Sequence, residues 1–141
     1  MVDWASRKIQ AHRVAITLEA MHAVEALEEA FARYGHPDIV NTDQGSQFTA
    51  GVFTEAVLGR GIRLSTDGKG AWRDNVFVER VWRSIKYEEI YLRAYESVSD
   101  ARCSIGQYIE LYNRKRPHSS LADQTPDDAY FATLPAIKSA A

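Results

Sequence analysis

The apolar positions of the chain change period along its length, and each change marks a new short element. Lys8 to Thr17 carries Ile9, Ala11, Val14 and Ile16 in an alternation that predicts a strand. From Leu18 to Tyr34 the apolar residues Met21, Val24, Leu27 and Phe31 recur at three- and four-residue steps with carboxylates between them. This predicts an amphipathic helix ended by Gly35 and Pro37. Asp38 to Thr42 is a short β-branched run that delivers Asp43 at its exit and breaks at Gln44-Gly45-Ser46. Phe48, Val52/Phe53 and Val57 space a helix over Phe48 to Leu58, stopped by Gly59 and Gly61, and Ile62 to Ser65 reads as another strand. Strand, helix, strand, helix, strand is the order of an α/β layer with parallel strands.

The second half is more helical. Thr66 to Asp74 has two glycines and no periodicity, so it reads as a loop, and Asp74 is placed to cap a helix running through Lys86 or beyond. A further helix is expected over Ser97 to Asn113, with Ile105, Tyr108, Ile109 and Tyr112 on one side, before Pro117 stops it. A chain of 141 residues supports one core, here assigned to residues 1–130 with a tail over 131–141. No run approaches the roughly 18 apolar residues of a membrane span and no secretory segment follows Met1, so a cytoplasmic protein without a membrane partner is expected. The single cysteine, Cys103, offers no internal disulfide and no metal-ligand spacing, and reads as a small residue on a helix.

Charge changes the picture only locally. A formal net charge of −2 does not announce a nucleic-acid binder. Acidic residues, however, crowd Glu19 to Glu29, while Arg80, Arg83, Lys86 and Arg114-Lys115-Arg116 lie in the second half and leave room for a basic face. On the helix after the loop, Glu79, Arg83 and Lys86 project within about 60° of one another, whereas Phe77, Val78, Val81 and Ile85 gather on the other side. Thirty-five residues separate Glu79 from Asp43. Each acid has a plain alternative reading. Glu79 and Arg83 form an i, i+4 pair on a solvated helix, and aspartate favours a turn such as Asp-Gln-Gly-Ser.

Resemblance separates these readings. Asn41-Thr42-Asp43-Gln44-Gly45-Ser46-Gln47-Phe48 resembles the second acidic motif of the transposases of two-reading-frame bacterial insertion sequences, whose core is similar to that of retroviral integrases. Lys69 to Glu79, with Asp74-Asn75 before the glutamate, resembles their third motif, and Lys86 falls where that family carries a basic residue. Tyr112-Asn113-Arg114-Lys115-Arg116-Pro117-His118 and Thr125-Pro126 resemble the family's tail signature, and Val2 to Arg7 is similar to the turn after its second strand. Several ordered motifs agreeing in spacing carry far more weight than any one of them.

The resemblance implies an RNase H-like α/β fold and Mg²⁺- (or Mn²⁺-) dependent phosphodiester cleavage and strand transfer, with DNA as substrate and a second copy or a full-length transposase as partner. It implies that Asp43 and Glu79 are catalytic metal ligands, carboxylates being the donors that hard Mg²⁺ prefers. Gly45 turns the chain after the aspartate. Lys86 and Arg83 are candidates for DNA phosphate. Trp72 either stacks on an unpaired base or covers the core. Gln47, Asp74, Asn75, Tyr112, Asn113, Arg116, Pro117 and His118 are motif positions, the last read as a hydrogen-bonding strut. The family uses three acids, the first on a strand upstream of the turn that Asp3 to Arg7 resembles. The expectation is therefore a core incomplete at its N-terminus, lacking the first strand and most of the second, inactive alone and marginally stable. Asp3 does not replace the missing acid, because an antiparallel strand places it about 20 Å from Asp43. A non-catalytic remnant that binds DNA or regulates a full-length transposase is the alternative function.

Overall fold

A computed structural model of the chain describes residues 1–66 and 76–133. Ala20–Tyr34 forms α1, Ile39–Thr42 β1, Ser46–Thr49 α2, Gly51–Leu58 α3 and Arg63–Thr66 β2. The second half contributes α4 at Val76–Glu88, α5 at Val98–Arg114 and α6 at Pro126–Thr133, with short 3₁₀ turns at Ile90–Leu92 and Ser119–Leu121. β1 and β2 pair in parallel with Ile39 opposite Arg63 and Thr42 opposite Thr66, joined through α2 and α3 as the alternation of elements predicts. β1 is paired on one edge only among the described residues.

Two separate cores result. Val24, Leu27 and Phe31 of α1 pack on Val40, Phe53, Ala56, Val57 and Ile62 in the first, where Val57 is 0% exposed. Ile9 packs with Val81 and Ile85 of α4 and with Ile105, Tyr108, Ile109 and Tyr112 of α5 in the second. The N-terminal segment touches both, through Met1 on one side and Val2, Ile9 and Val14 on the other. Met21, expected on the apolar stripe of α1, is 48% exposed, because the buried stripe starts one turn later at Val24.

The strand expected over Lys8 to Thr17 does not form a ladder. Only Ile9 bridges, antiparallel, to Val2. On one edge Asp3 N donates to Lys8 O and Gln10 N to Met1 O, both at 2.9 Å, and on the other, side chains of α5 take the backbone groups a second strand would pair. Asn113 Oδ1 accepts from Ile9 N and Asn113 Nδ2 donates to Ile9 O, both at 2.9 Å, and Arg102 Nε donates to Val14 O at 3.0 Å. Beside this clamp the buried Lys8 ammonium meets Asp127 at 2.9 Å and the rings of Tyr34, Tyr130 and Phe131 within 5.0 Å. Burial pulls the Lys8 pKa down, but Asp127 and Tyr34 outweigh it and the ammonium titrates above the ordinary lysine value.

The expected helix over Phe48 to Leu58 is also broken. Ala50 is extended at ψ 143 and its carbonyl accepts from Phe53 and Thr54, so it starts α3 afresh and lets the Phe48 and Phe53 rings meet edge-on at 5.3 Å. α6 was not expected. Thr125 Oγ1 accepts from Asp128 N, Pro126 opens the first turn, and Asp127 and Asp128 stand at the positive end of the helix. α6 runs across the boundary drawn at residue 130.

Replacing Asn113 with alanine orphans two buried backbone groups of Ile9 and is expected to cost about 2–4 kcal/mol. Urea unfolding measures this, with the exposed Glu110→Ala on the same helix expected to change stability by no more than about 0.5 kcal/mol.

Candidate active site

Asp43 leaves β1 into solvent, and its Oδ1 accepts a hydrogen bond from Gly45 N at 2.7 Å. The aspartate therefore does build its own turn, with Oδ2 making no hydrogen bond to any described residue. Gly45 is not needed for a left-handed backbone, since its φ is −57. It is needed for space, because a Cβ there would stand 2.9 Å from Asp43 Oδ1 and 3.1 Å from Gln47 Oε1. Asn41 Oδ1 and Thr42 Oγ1, just before the aspartate, are buried without a hydrogen-bond partner among the described residues.

Glu79 sits in the first turn of α4 and is exposed, as are Arg83 and Lys86, while Val81 and Ile85 are buried. The helix thus divides into charged and core faces as its pattern predicts. The Glu79–Arg83 ion pair is not formed. Arg83 lies 5.7 Å from the ring of Tyr87, and Lys86 lies 5.8 Å from that of Trp82. Glu79 is left with no cation within ion-pair distance among the described residues. Trp72, Asp74 and Asn75 lie outside the described residues. No group of three or more histidine, cysteine or acidic side chains among the described residues is close enough to hold a metal ion. Asp3 is committed elsewhere: its Oδ2 accepts from Ser6 N at 2.9 Å and Ser6 Oγ at 2.6 Å, closing the turn that carries Arg7.

The tail motif gathers on the far end of α4. Tyr112 is buried with its ring edge-on to His118 at 4.9 Å, and Asn113 makes the clamp on Ile9. Arg116 pairs with Glu88 and hydrogen bonds the Tyr108 hydroxyl at 3.1 Å, while that hydroxyl donates to Glu88. Burial and the hydrogen bond to Glu88 push the Tyr108 phenol well above its ordinary range. Burial of Arg116 works against its charge, but Glu88 prevails and raises its pKa. His118 is held below the ordinary histidine value by burial and by Arg116 and Arg7. Pro117 is exposed after the C-terminus of α5.

Glu88 and Glu89 were not singled out in the sequence, and Tyr108 only as a residue of the apolar face of α5. Glu89 is 3% exposed and bonded to Ser104 Oγ, to Tyr95 Oη at 3.2 Å and to Arg93 Nε at 3.4 Å. A signal was present: two adjacent glutamates at a helix C-terminus oppose the helix dipole and call for partners elsewhere.

A strand-exit aspartate beside a parallel pair and a glutamate-bearing helix packed on a separate core fit an RNase H-like α/β core. An integrase core domain model matches residues 1–71 and a second integrase core domain model matches residues 60–126, so the chain belongs to the integrase core domain family. The transposase for insertion sequence element IS904 of Lactococcus lactis is 32% identical over 131 residues, covering 90% of this chain and 51% of that protein. The putative transposase InsK for IS150 of Escherichia coli is 32% identical over 110 residues, covering 75% of this chain and 38% of that protein. The chain thus spans about half the length of the first relative, 51%, and less of the second, 38%. Among solved structures, the HTLV-2 integrase catalytic core domain in complex with magnesium superposes with a TM-score of 0.69 at 20% identity, covering 91% of this chain and 80% of that one. The BIV integrase catalytic core domain gives 0.67 at 21%, covering 85% and 76%. No described helix is long and apolar enough to cross a membrane.

The Glu88–Arg116 pair is more than a third exposed on both sides, so solvent screens it. A double-mutant cycle of Glu88→Gln and Arg116→Gln is expected to give a coupling of about 0.5–1 kcal/mol in low-salt urea unfolding, shrinking in 1 M salt at a Debye length of about 3 Å.

Proposed function

We propose that this core serves DNA transposition or integration through Mg²⁺-dependent phosphodiester cleavage and strand transfer, with Asp43 and Glu79 as metal-ligating carboxylates. The observation that carries this reading is that both acids, in family-like motifs, are exposed and free of any cation partner among the described residues. An acid held by a lysine or arginine would have to give up that partner to take a metal. The donor set fits a hard divalent cation, which prefers carboxylate oxygen. When bound, the ion would activate a water or DNA 3′-hydroxyl and neutralise charge at the scissile phosphate.

The chain's own residues supply the rest. Asp43 is held through Oδ1 by Gly45 N, which fixes the direction in which Oδ2 is offered. Glu79 presents its carboxylate from a helix whose opposite face is locked by Val81 and Ile85. Lys86 and Arg83, on the same side of α4 and without carboxylate partners among the described residues, take DNA phosphates near the acids. The edge of β1 left unpaired among the described residues is where a further acid-bearing strand would pair, supplied by more of the same polypeptide or by a full-length transposase. The second reading is a piece that binds DNA or a full-length transposase and cuts nothing alone.

Mn²⁺ titration of the 141-residue chain, followed by paramagnetic broadening, is expected to show weak binding that Asp43→Asn and Glu79→Gln each reduce by about tenfold, the equivalent of about 1.4 kcal/mol. Broadening that is indifferent to both substitutions rules out the metal assignment. Mg²⁺-dependent nicking of plasmid DNA that disappears in Glu79→Gln selects the enzyme reading, and DNA retention without nicking selects the second.

A further inference from the structure

A small cavity lies on the flank of α4 turned away from Glu79. Its volume is about 110 Å³, room for three or four waters or one tetrahedral oxyanion. Arg7, Arg80, Arg116 and His118 line it, with the hydroxyls of Ser84 and Ser120 between them. No carboxylate is among the described lining residues. Glu88 reaches Arg116 from outside and offsets part of one charge, leaving Arg7 and Arg80 without an ion-pair partner among the described residues.

The elements that converge here are far apart in sequence, and each delivers its cation by a specific device. Arg7 stands in a left-handed backbone conformation at φ 65, uncommon for arginine, imposed by the Asp3–Ser6 turn. That turn sets its guanidinium over Phe77, 3.4 Å from the ring centroid, which restrains a long side chain beside the cavity. Arg80 and Ser84 are one helical turn apart on α4 and share its flank. Arg116 is fixed by Glu88 and Tyr108, and the Tyr112 ring holds His118. His118 Nε2 is buried with no hydrogen-bond partner among the described residues. A buried ring nitrogen left unpaired among three guanidinium groups is costly unless something accepts from it.

We propose that this cavity is a phosphate-binding site that seats one backbone phosphate of DNA. Planar guanidinium forks, an imidazole and short hydroxyls are donors suited to a tetrahedral oxyanion, and the local positive charge exceeds what one carboxylate would neutralise. Helical geometry puts Arg80, Ser84 and Phe77 about 90–150° around the axis from the side of Glu79, Arg83 and Lys86. The seat is therefore distinct from the phosphate contacts expected beside the metal-ligating acids. DNA crossing α4 would be held on both flanks, and the contact needs no metal. The DNA assignment rests on the function proposed above, whereas the phosphate chemistry does not.

The test uses the full 141-residue chain without divalent metal. Inorganic phosphate is titrated at constant ionic strength while the His118 imidazole resonances are followed by NMR. Saturable shifts are expected, with affinity about tenfold weaker in Arg80→Gln, the size of one charge-assisted hydrogen bond. Arg80 is exposed, so its replacement leaves the fold intact, and Arg63→Gln, which removes an equal charge from exposed β2, is expected to leave the affinity within about twofold. Drift without saturation, or equal effects of the two substitutions, overturns the site. In a second arm a short DNA duplex is expected to shift the same resonances and to be competed by phosphate. A duplex that binds the chain while His118 stays unmoved overturns the DNA source. Because no metal is present, neither arm depends on whether Asp43 and Glu79 bind one.

Discussion

The side-chain amide of Asn113 closes two hydrogen bonds on the backbone of Ile9, and the position of everything N-terminal follows from that clamp. Ile9 then enters the core of α4 and α5, Lys8 is carried into its ring of aromatic side chains against Asp127, and Met1 reaches the other core. A peptide unit paired by an amide is satisfied as fully as one in a ladder, so the edge of this segment turned away from Val2 stays buried without a second strand beside it. The tight turn from Asp3 to Arg7, closed by Ser6 on Asp3, precedes this clamp, and its left-handed end aims the guanidinium across Phe77. One hydrogen-bonding side chain on α5 thereby anchors the segment that reaches both cores.

Charge is arranged so that a chain of formal charge −2 presents exposed cations along α4. The acidic stretch of α1 is neutralised within its own neighbourhood, with Glu25 and Glu29 paired to Arg13, Glu29 also to Arg33, and Glu28 to Arg60. Glu88 and Glu89 are likewise absorbed by Arg116, Arg93 and hydroxyl donors. Arg80, Arg83 and Lys86 are not paired with any described carboxylate, so α4 stays electropositive on two sides while Glu79 stays unclaimed. Overall charge concealed this, because a sum over residues does not register which acids are already spent.

Local periodicity located α1, β1, β2 and α5 to within about two residues, and the parallel pairing followed from their order. The misses have specific causes. Lys8 to Thr17 alternates like a strand, but Asn113 and Arg102 supply its partners from a helix about a hundred residues away. Phe48 to Leu58 keeps helical spacing across a break at Ala50, because spacing of apolar residues is insensitive to one extended residue when both halves face the same core. α6 carried a legible start in Thr125-Pro126-Asp127-Asp128, a cap, a first-turn proline and two acids at the dipole's positive end.

The sequence by itself determined the family, the pattern of faces on α4 and the identity of Asp43 and Glu79 as candidate acids, since motif spacing and helical period are local properties of the chain. Tertiary structure alone decided that Glu79 declines its i, i+4 arginine, that Gly45 serves close packing around Asp43 rather than a left-handed turn, and that Arg7, Arg80, Arg116 and His118 share one cavity. The first two turn on side-chain and backbone conformations that residue spacing does not fix, and the cavity depends on groups brought together from elements far apart in sequence.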